Sequence, residues 1–442
     1  MSKNIWLDKY LLQYGIVFFM TCPIFFSCIP ADGWIYDSFS LLYFIIIGFV
    51  YRKRYNKIFI NYGFALFLLL FFIYIFYNII GQSFASWLYP KLFMIINELF
   101  LFQLIYNAAI NQDFDIVKLK KTLFLFCLCF ILPLDFLSLY KFMRLLHGEQ
   151  FSILVSPGNG QYPLGTSLRQ DYNVFAMGII LSNLLILDYV FSIRRPYRFK
   201  TLGYLSFFIS FIVIILSGSR RGLIIFTVIF LVVFLKTIIG VLQFQKEAAR
   251  LILVTISFVF IGWFVYQTEF TKEEYKDNSS LEHIFNRLST IEDINNNDTH
   301  SPAYERLIRI QFAQRIIDSR PLYQNIFGDA FDYHHKFYAK TSNHLSKFEY
   351  DYPHNFFISQ FLYSGIIGFI LLLVLLIYTL ILYVKFGSML RIYLFMYIIC
   401  VFFLSTSGDV LFNDINLIFL TLLPIFYSNI KNIDKPVKRK IF

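Results

Sequence analysis

FFISQFLYSGIIGFILLLVLLIYTLILYV, residues 356–384, carries no charged side chain and no histidine. About twenty apolar residues cross a bilayer as a helix. Lipid offers the backbone no water, so such a run must close its hydrogen bonds within itself. Comparable runs recur along the chain. Spans are predicted near 11–30, 34–51, 58–80, 88–110, 122–140 and 172–192, and again near 203–218, 221–239, 251–267, 355–384, 390–406 and 414–430. The expected fold class is an all-α polytopic membrane protein with about twelve transmembrane helices and one large loop domain. Composition agrees: 58% of the 442 residues are hydrophobic and 15% charged, against roughly 25% charged in a soluble domain. The first span resembles a signal peptide in isolation, but the many spans after it favour a retained helix.

Charge sets the expected orientation. The net charge of +11 would point to nucleic acid in a soluble protein. Here the basic clusters are Arg52/Lys53/Arg54/Lys57, Lys118/Lys120/Lys121, Arg194/Arg195/Arg198/Lys200, Lys236/Lys246/Arg250, Lys385/Arg391 and Lys435/Lys438/Arg439/Lys440. All of them fall on one side of the twelve-span layout, which satisfies the positive-inside rule with both termini cytoplasmic. Nucleic acid is therefore not an expected partner; the lipid bilayer is. The expected organisation is transmembrane helices one to nine in 1–267, a large outer loop domain in 268–354 (periplasmic if the resemblance drawn below holds), and three more helices with a basic tail in 355–442. All seven histidines (His147, His283, His300, His334, His335, His344 and His354) fall on the outer side. The five cysteines lie within spans, so no disulfide framework is implied. Cys127 and Cys129 sit on different helix faces.

Within 268–354, the Asn-rich stretch around 295–297 is followed by Ser301-Pro302, an N-cap and first-turn proline. A helix is expected from there to about Ser319, with Ile310, Ala313 and Ile317 at helical spacing and Pro321 ending it. Arg306 and Arg309 are three apart and share a face. Asn325–Asp329 reads as a turn around Gly328. A polar, aromatic stretch then leads to Tyr352-Pro353-His354-Asn355 at the mouth of the next span.

Two features can carry chemistry. Ser217-Gly218-Ser219-Arg220-Arg221-Gly222 forms the turn between two spans. Arginine is costly at a span boundary without a partner. Its guanidinium fork binds phosphate oxygens, and a helix start adds N–H groups and a positive dipole end. Headgroup snorkelling also accounts for such a pair, although outward arginines run against the positive-inside tendency. The second feature is His354 at a helix entrance, where the dipole disfavours imidazolium and leaves a ring able to accept a proton. Helix capping by His354-Asn355 accounts for the same spacing. His334, His335, His344 and Asp332 are close in sequence but lack metal-ligand spacing, so no metal site is expected. Asp37, Lys91, Glu98, Asp135 and Asp188 lie within spans and are functional suspects by position. No P-loop, dinucleotide fingerprint or nucleophile elbow is present in the sequence, and no cofactor is expected.

With these elements in order, the chain resembles the O-antigen ligase and polymerase superfamily. The resemblance rests on Ser217–Gly222, on Arg306 opening a helix that ends at Pro321 before Gly328, and on Pro353-His354-Asn355-Phe356 followed by Leu362-Tyr363-Ser364-Gly365-Ile366-Ile367-Gly368. It covers about 203–384 closely, and the layout extends it to the whole chain. It implies a metal-independent membrane glycosyltransferase that takes a glycan from undecaprenyl diphosphate on the periplasmic face of the inner membrane. The acceptor would be lipid A–core for a ligase, or another repeat unit for a polymerase. By the resemblance, Arg220 and Arg306 hold the diphosphate and stabilise it as it leaves, and His354 positions or deprotonates the acceptor hydroxyl. Arg221, Arg309, Ser219 and Asn355 stand beside them as substrate-binding candidates. The sequence departs from the family where Phe312 stands for an expected tryptophan near the loop arginine, and where Phe327-Gly328-Asp329 replaces a Gly-x-Gly turn.

Ligase and polymerase share this chemistry. The single large late loop favours a ligase, while the 141–171 loop with Arg144, His147 and Arg169 suits a second sugar-binding loop of a polymerase. A flippase or transporter for the same lipid-linked sugar would line its path with Lys91, Glu98 and Asp135. It predicts internal repeats, and none is visible in the sequence.

Overall fold

The computed structural model describes residues 2–29, 33–53, 55–80, 88–111, 113, 116–147, 165–169, 171–191, 197–242, 302–330, 332–341 and 351–433, with isolated positions 252 and 256. The expected span at 251–267 (apart from 252 and 256), the N-cap Ser301, the Asn-rich stretch, His283, His300, His344 and the basic tail lie outside them. Among the described residues every regular element is helical. In chain order they are α1 (Ser2–Cys28), α2 (Gly33–Val50), α3 (Tyr62–Ile80), α4 (Leu88–Ile110), α5 (Ile116–Leu146), α6 (Tyr172–Val190), α7 (Tyr197–Leu216) and α8 (Arg220–Leu242). These are followed by α9 (Pro302–Ser319), α10 (Leu322–Phe327), α11 (Asp332–Thr341), α12 (Phe356–Lys385), α13 (Gly387–Ser405), a 3-10 turn (Leu411–Asn413) and α14 (Ile415–Ile433).

Among the described residues six helical stretches are long and apolar enough to cross a membrane: Leu92–Ile110, Leu119–Leu146, Tyr172–Val190, Phe199–Leu216, Arg220–Ile239 and Phe356–Lys385. Five shorter apolar helices, Leu12–Cys28, Ser38–Val50, Tyr62–Tyr77, Leu390–Ser405 and Ile415–Ser428, coincide with further expected spans. The described residues are thus all-helical and consistent with a polytopic membrane protein.

It divides into two compact units. The first comprises Met1–Ile16, Asp32–Phe114 and Asn296–Phe442. Here α12 packs on α3, α13 and α14, and α9, α10 and α11 gather at its start. Aromatic rings fill the interior: the Phe412 ring lies 4.9 Å from Tyr74, 5.6 Å from Phe67 and 5.7 Å from Phe71. Pro424 sits inside α14 and lacks the N–H that would bond the Leu420 carbonyl. The Tyr383 hydroxyl takes that carbonyl at 2.7 Å, which satisfies a backbone acceptor where no water is at hand.

The second unit comprises Val17–Ala31 and Asp115–Asn295. Helices α5, α6, α7 and α8 pack together, with α6 almost wholly buried. Close approach depends on small residues. A Cβ at Gly178 would stand 2.5 Å from Cys28 Sγ, and one at Gly222 would stand 2.6 Å from the Ala176 Cβ.

Several boundaries differ from the sequence reading. Helix α5 runs on to Leu146, so Lys141 and Arg144 are helical residues and not the start of a loop. Lys141 is buried, and its ammonium donates to the Ser167 carbonyl, which removes the penalty that made it read as loop. The stretch around Asn325 is the short helix α10, and the polar aromatic stretch after Gly328 is helix α11. The block 356–384 is interrupted: Gly365 has φ 61 and ψ −166, outside helical values. About twenty residues still follow the break, enough to span by themselves.

Candidate functional site

The break at Gly365 is where the loop segment docks. Breaking a helix strands carbonyls. The Leu362 carbonyl accepts from the Asp329 N–H at 3.0 Å and from Arg320 Nη2 at 3.2 Å, and the Tyr363 carbonyl accepts from the Ala330 N–H at 2.9 Å. Gly328 has φ 83, and a Cβ there would stand 2.2 Å from the Tyr363 carbonyl oxygen. Only glycine fits this contact. Arg320 Nη2 pairs with Asp329 Oδ2 at 2.6 Å, and Lys336 Nζ lies 3.0 Å from Asp329 Oδ1. The Phe327-Gly328-Asp329 turn thereby fastens α10 and α11 to α12.

Helix α9 lies beside this joint. Its buried face is Arg309, Ala313, Ile316 and Arg320, while Ile310 of the expected apolar stripe is 41% exposed. Arg306 and Arg309 share a face by spacing but not an environment. Arg306 is exposed, whereas the Arg309 side chain is 11% exposed. Arg309 Nη1 pairs with Asp351 Oδ1 and donates to the Tyr352 carbonyl at 3.0 Å. Asp351 Oδ1 also accepts from the Tyr352 N–H at 2.8 Å. Arg309 therefore holds the approach to His354 in place.

His354 follows with φ 54, a left-handed conformation that a non-glycine residue seldom takes. Its Nε2 lies 4.0 Å from Asp351 Oδ1, and its ring centroid is 4.2 Å from that of Tyr352. Asn355 caps α12, its Oδ1 accepting from the N–H groups of Phe357 and Ile358, both at 3.1 Å. The capping role belongs to Asn355, which leaves the His354 ring to its neighbours. An apolar groove of about 300 Å³ opens next to this capped end, lined by Ile317, Phe357, Ile358, Phe361 and Phe369.

A second polar group stands in the same unit. The Tyr333 hydroxyl donates to Asp409 Oδ1, and His334 Nε2 lies 2.8 Å from that hydroxyl and 3.3 Å from Asp409 Oδ2. Asn413 Nδ2 donates to Asp409 Oδ2 at 2.6 Å. Burial pushes the Asp409 carboxyl up, but the charge of His334 and hydrogen bonds from His334, Tyr333 and Asn413 outweigh it, so the group settles below its ordinary value. Sequence reading missed Asp351, Tyr352 and Asp409. Asp351 is three residues from His354 and could have been found; Asp409 is brought near by folding alone.

The arginine turn belongs to the other unit. Ser217 Oγ donates to the Ile214 carbonyl at 2.7 Å, and Gly218 turns the chain with φ 72. Ser219 is the N-cap of α8: its Oγ accepts from the Gly222 N–H at 3.1 Å and donates to Asn173 Oδ1 at 3.0 Å. Arg220 and Arg221 therefore lie in the first turn of α8 and not in the connecting loop, and both are half-buried. Buried Thr166 braces the turn, its Oγ1 donating to the Val213 carbonyl at 2.5 Å and its N–H to the Leu216 carbonyl at 3.2 Å.

Of the intramembrane suspects, Asp188 pairs with Lys120 at 3.0 Å, and Asp135 Oδ2 accepts from Ser210 at 2.6 Å. Glu98 is buried, and the side chains of Asp37 and Lys91 lie outside the description. Arg144 Nη1 donates to the Tyr140 hydroxyl and Arg169 to the Phe26 carbonyl, so both are occupied structurally.

Residues 205–373 match the protein family described as O-antigen ligase. Over this stretch the chain is similar to the O-antigen ligase family, which supports the O-antigen ligase superfamily. The matched stretch opens within α7 and closes within α12, and it contains the arginine turn, α9 and the His354 entrance. No curated protein matches the chain. The matched domain supports an O-antigen ligase-type, glycosyltransferase-like activity at a membrane.

Proposed function

We propose that the protein transfers a glycan from undecaprenyl diphosphate to a sugar hydroxyl of lipid A–core on the periplasmic face of the inner membrane. The observation that carries this reading is the family match over 205–373, which takes in the arginine turn, Arg306 and His354 together. In this reading both termini are cytoplasmic, twelve spans cross the membrane and the 268–354 segment is periplasmic.

The chemistry follows from the residues. His354 accepts the proton of the acceptor hydroxyl, with Asp351 as its carboxylate neighbour. The acceptor oxygen bonds to the anomeric carbon as the bond from that carbon to the diphosphate oxygen breaks. The departing electron pair stays on the diphosphate, whose charge is held by Arg220 and Arg306, with Arg221 and the Ser219-capped start of α8 in support. Arg306 is the better candidate on α9, because Arg309 is tied to Asp351 and Tyr352. Asn355 fixes the helix end from which His354 projects. The groove between Ile317 and Phe357 suits a polyprenyl chain. No step calls for a metal, since the guanidinium groups neutralise the leaving group.

The test is the glycan profile of a deletion strain complemented with the wild-type chain or with His354→Ala. A ligase gives loss of all attached glycan while lipid-linked polymer accumulates, with no rescue by the variant. A core bearing a single repeat would replace this reading with a polymerase. Lipid-linked glycan trapped on the cytoplasmic side would replace it with transport. Full rescue by His354→Ala would remove His354 from the reaction.

A further inference from the structure

His354 takes a backbone conformation that costs free energy in a residue with a side chain. Its ring placement is therefore set by what surrounds it. The ring neighbours the Asp351 carboxylate, fixed by Arg309. It also neighbours the Tyr352 ring, whose centroid is 4.2 Å away. Tyr352 in turn has a second ring neighbour, His334, at 6.1 Å between centroids. His334 is itself anchored: buried, 4.3 Å from the Tyr333 ring, and held at Nε2 between the Tyr333 hydroxyl and Asp409 Oδ2. A chain of contacts thus runs from Asp409 in the α13–α14 connection, through His334 on α11, to Tyr352 and His354.

We propose that His334 is a positioning residue for the transfer, acting through the ring of Tyr352 to hold His354 in register with the acceptor hydroxyl. This rests on reading His354 as the proton acceptor. Asp409 has the supporting role of fixing the imidazole of His334. A hydrophobic ring of similar size would fill the space but lose both anchors at Nε2. His334 therefore governs the tilt of Tyr352, and with it the reach of His354. Misplacing a reacting group by about 1 Å costs on the order of a hundredfold in rate.

The experiment uses the full chain in proteoliposomes with lipid-linked glycan and acceptor extracted from the same strain. His334→Phe is expected to lower turnover by roughly ten- to a hundredfold with the half-saturating donor concentration unchanged. His334→Gln, which keeps a side-chain amide facing Asp409, should recover most of that loss. Tyr352→Leu should be equally slow, and the double variant no slower than either single one, because residues acting along one path are not additive. Losses that multiply in the double variant, or a raised half-saturating concentration with unchanged turnover, would overturn the proposal. A second readout does not depend on transfer: carbethoxylation of His354 by diethyl pyrocarbonate, followed by mass spectrometry. Its rate should change severalfold in both His334→Phe and Tyr352→Leu, and an unchanged rate would overturn the positioning role. If instead His354→Ala kept full transfer while the carbethoxylation rates changed as expected, the reading of His354 would fail and the coupling of the rings would stand.

Discussion

Arg306 and Arg309 lie within one turn of α9, yet folding gives them opposite duties. The exposed side chain of Arg306 suits a ligand. Arg309 is mostly covered and pairs with a carboxylate that is 7% exposed. Removing one partner of a covered pair strands the other charge, at a cost of about 3–5 kcal/mol. Arg309→Ala should therefore lower the thermal stability of the detergent-solubilised protein clearly. Arg306→Ala should leave its melting temperature unchanged within a degree or so, as surface substitutions move stability by only about 0.5 kcal/mol, while abolishing transfer. Equal melting temperatures in the two variants would show that Arg309 holds nothing together. Residue types and spacing had marked His354, Asn355 and both arginine pairs, since each stands in a local motif. They left open which member of each pair meets a ligand, because that depends on Asp351 arriving beside one and not the other. Asp409 was beyond reach for the same reason: 75 residues separate it from His334, and no local pattern links them.

At the scale of the element, apolar runs were legible because a bilayer permits little but continuous helix there. The interruptions were not. Glycine is common in membrane helices, so nothing in Leu362–Gly368 distinguished Gly365, which breaks α12, from Gly368, which does not. What singles out Gly365 is its partner: a Cβ there would stand 2.3 Å from the Ile326 carbonyl oxygen, and its φ is 61. The Gly328→Ala and Gly365→Ala substitutions should each destabilise by at least about 1–3 kcal/mol, the usual cost of a side chain in such a conformation. Gly387→Ala, with open space around it, should be neutral. Differential scanning fluorimetry of the three variants would check this, and three matching melting temperatures would refute the docked turn. Helix α5 shows the opposite lesson: Lys141 ended the predicted span near 140, but its ammonium finds the Ser167 carbonyl and the helix continues.

For the whole molecule, the proposed orientation rests on the distribution of lysine and arginine. Cysteines introduced singly into a cysteine-free chain would report it through a membrane-impermeant maleimide. Arg306→Cys should be labelled in cells with a permeabilised outer membrane, and Lys53→Cys and Lys385→Cys only after the inner membrane is opened. The reverse pattern would invert the layout and move His354 away from the compartment assigned to it.

The joint between Gly328 and Gly365 also bears on how the protein is made. A ribosome builds Asp329 and Ala330 before it reaches Leu362 and Tyr363, whose carbonyls those N–H groups will take. Helices α9 to α11 must therefore leave the exit tunnel without their dock. The broken helix, for its part, enters the translocation machinery with its gap still unfilled. Closure of that gap therefore cannot precede the synthesis of Leu362 and Tyr363. Until Leu362 and Tyr363 have also emerged, the N–H groups of Asp329 and Ala330 lack the carbonyls they take in the folded chain.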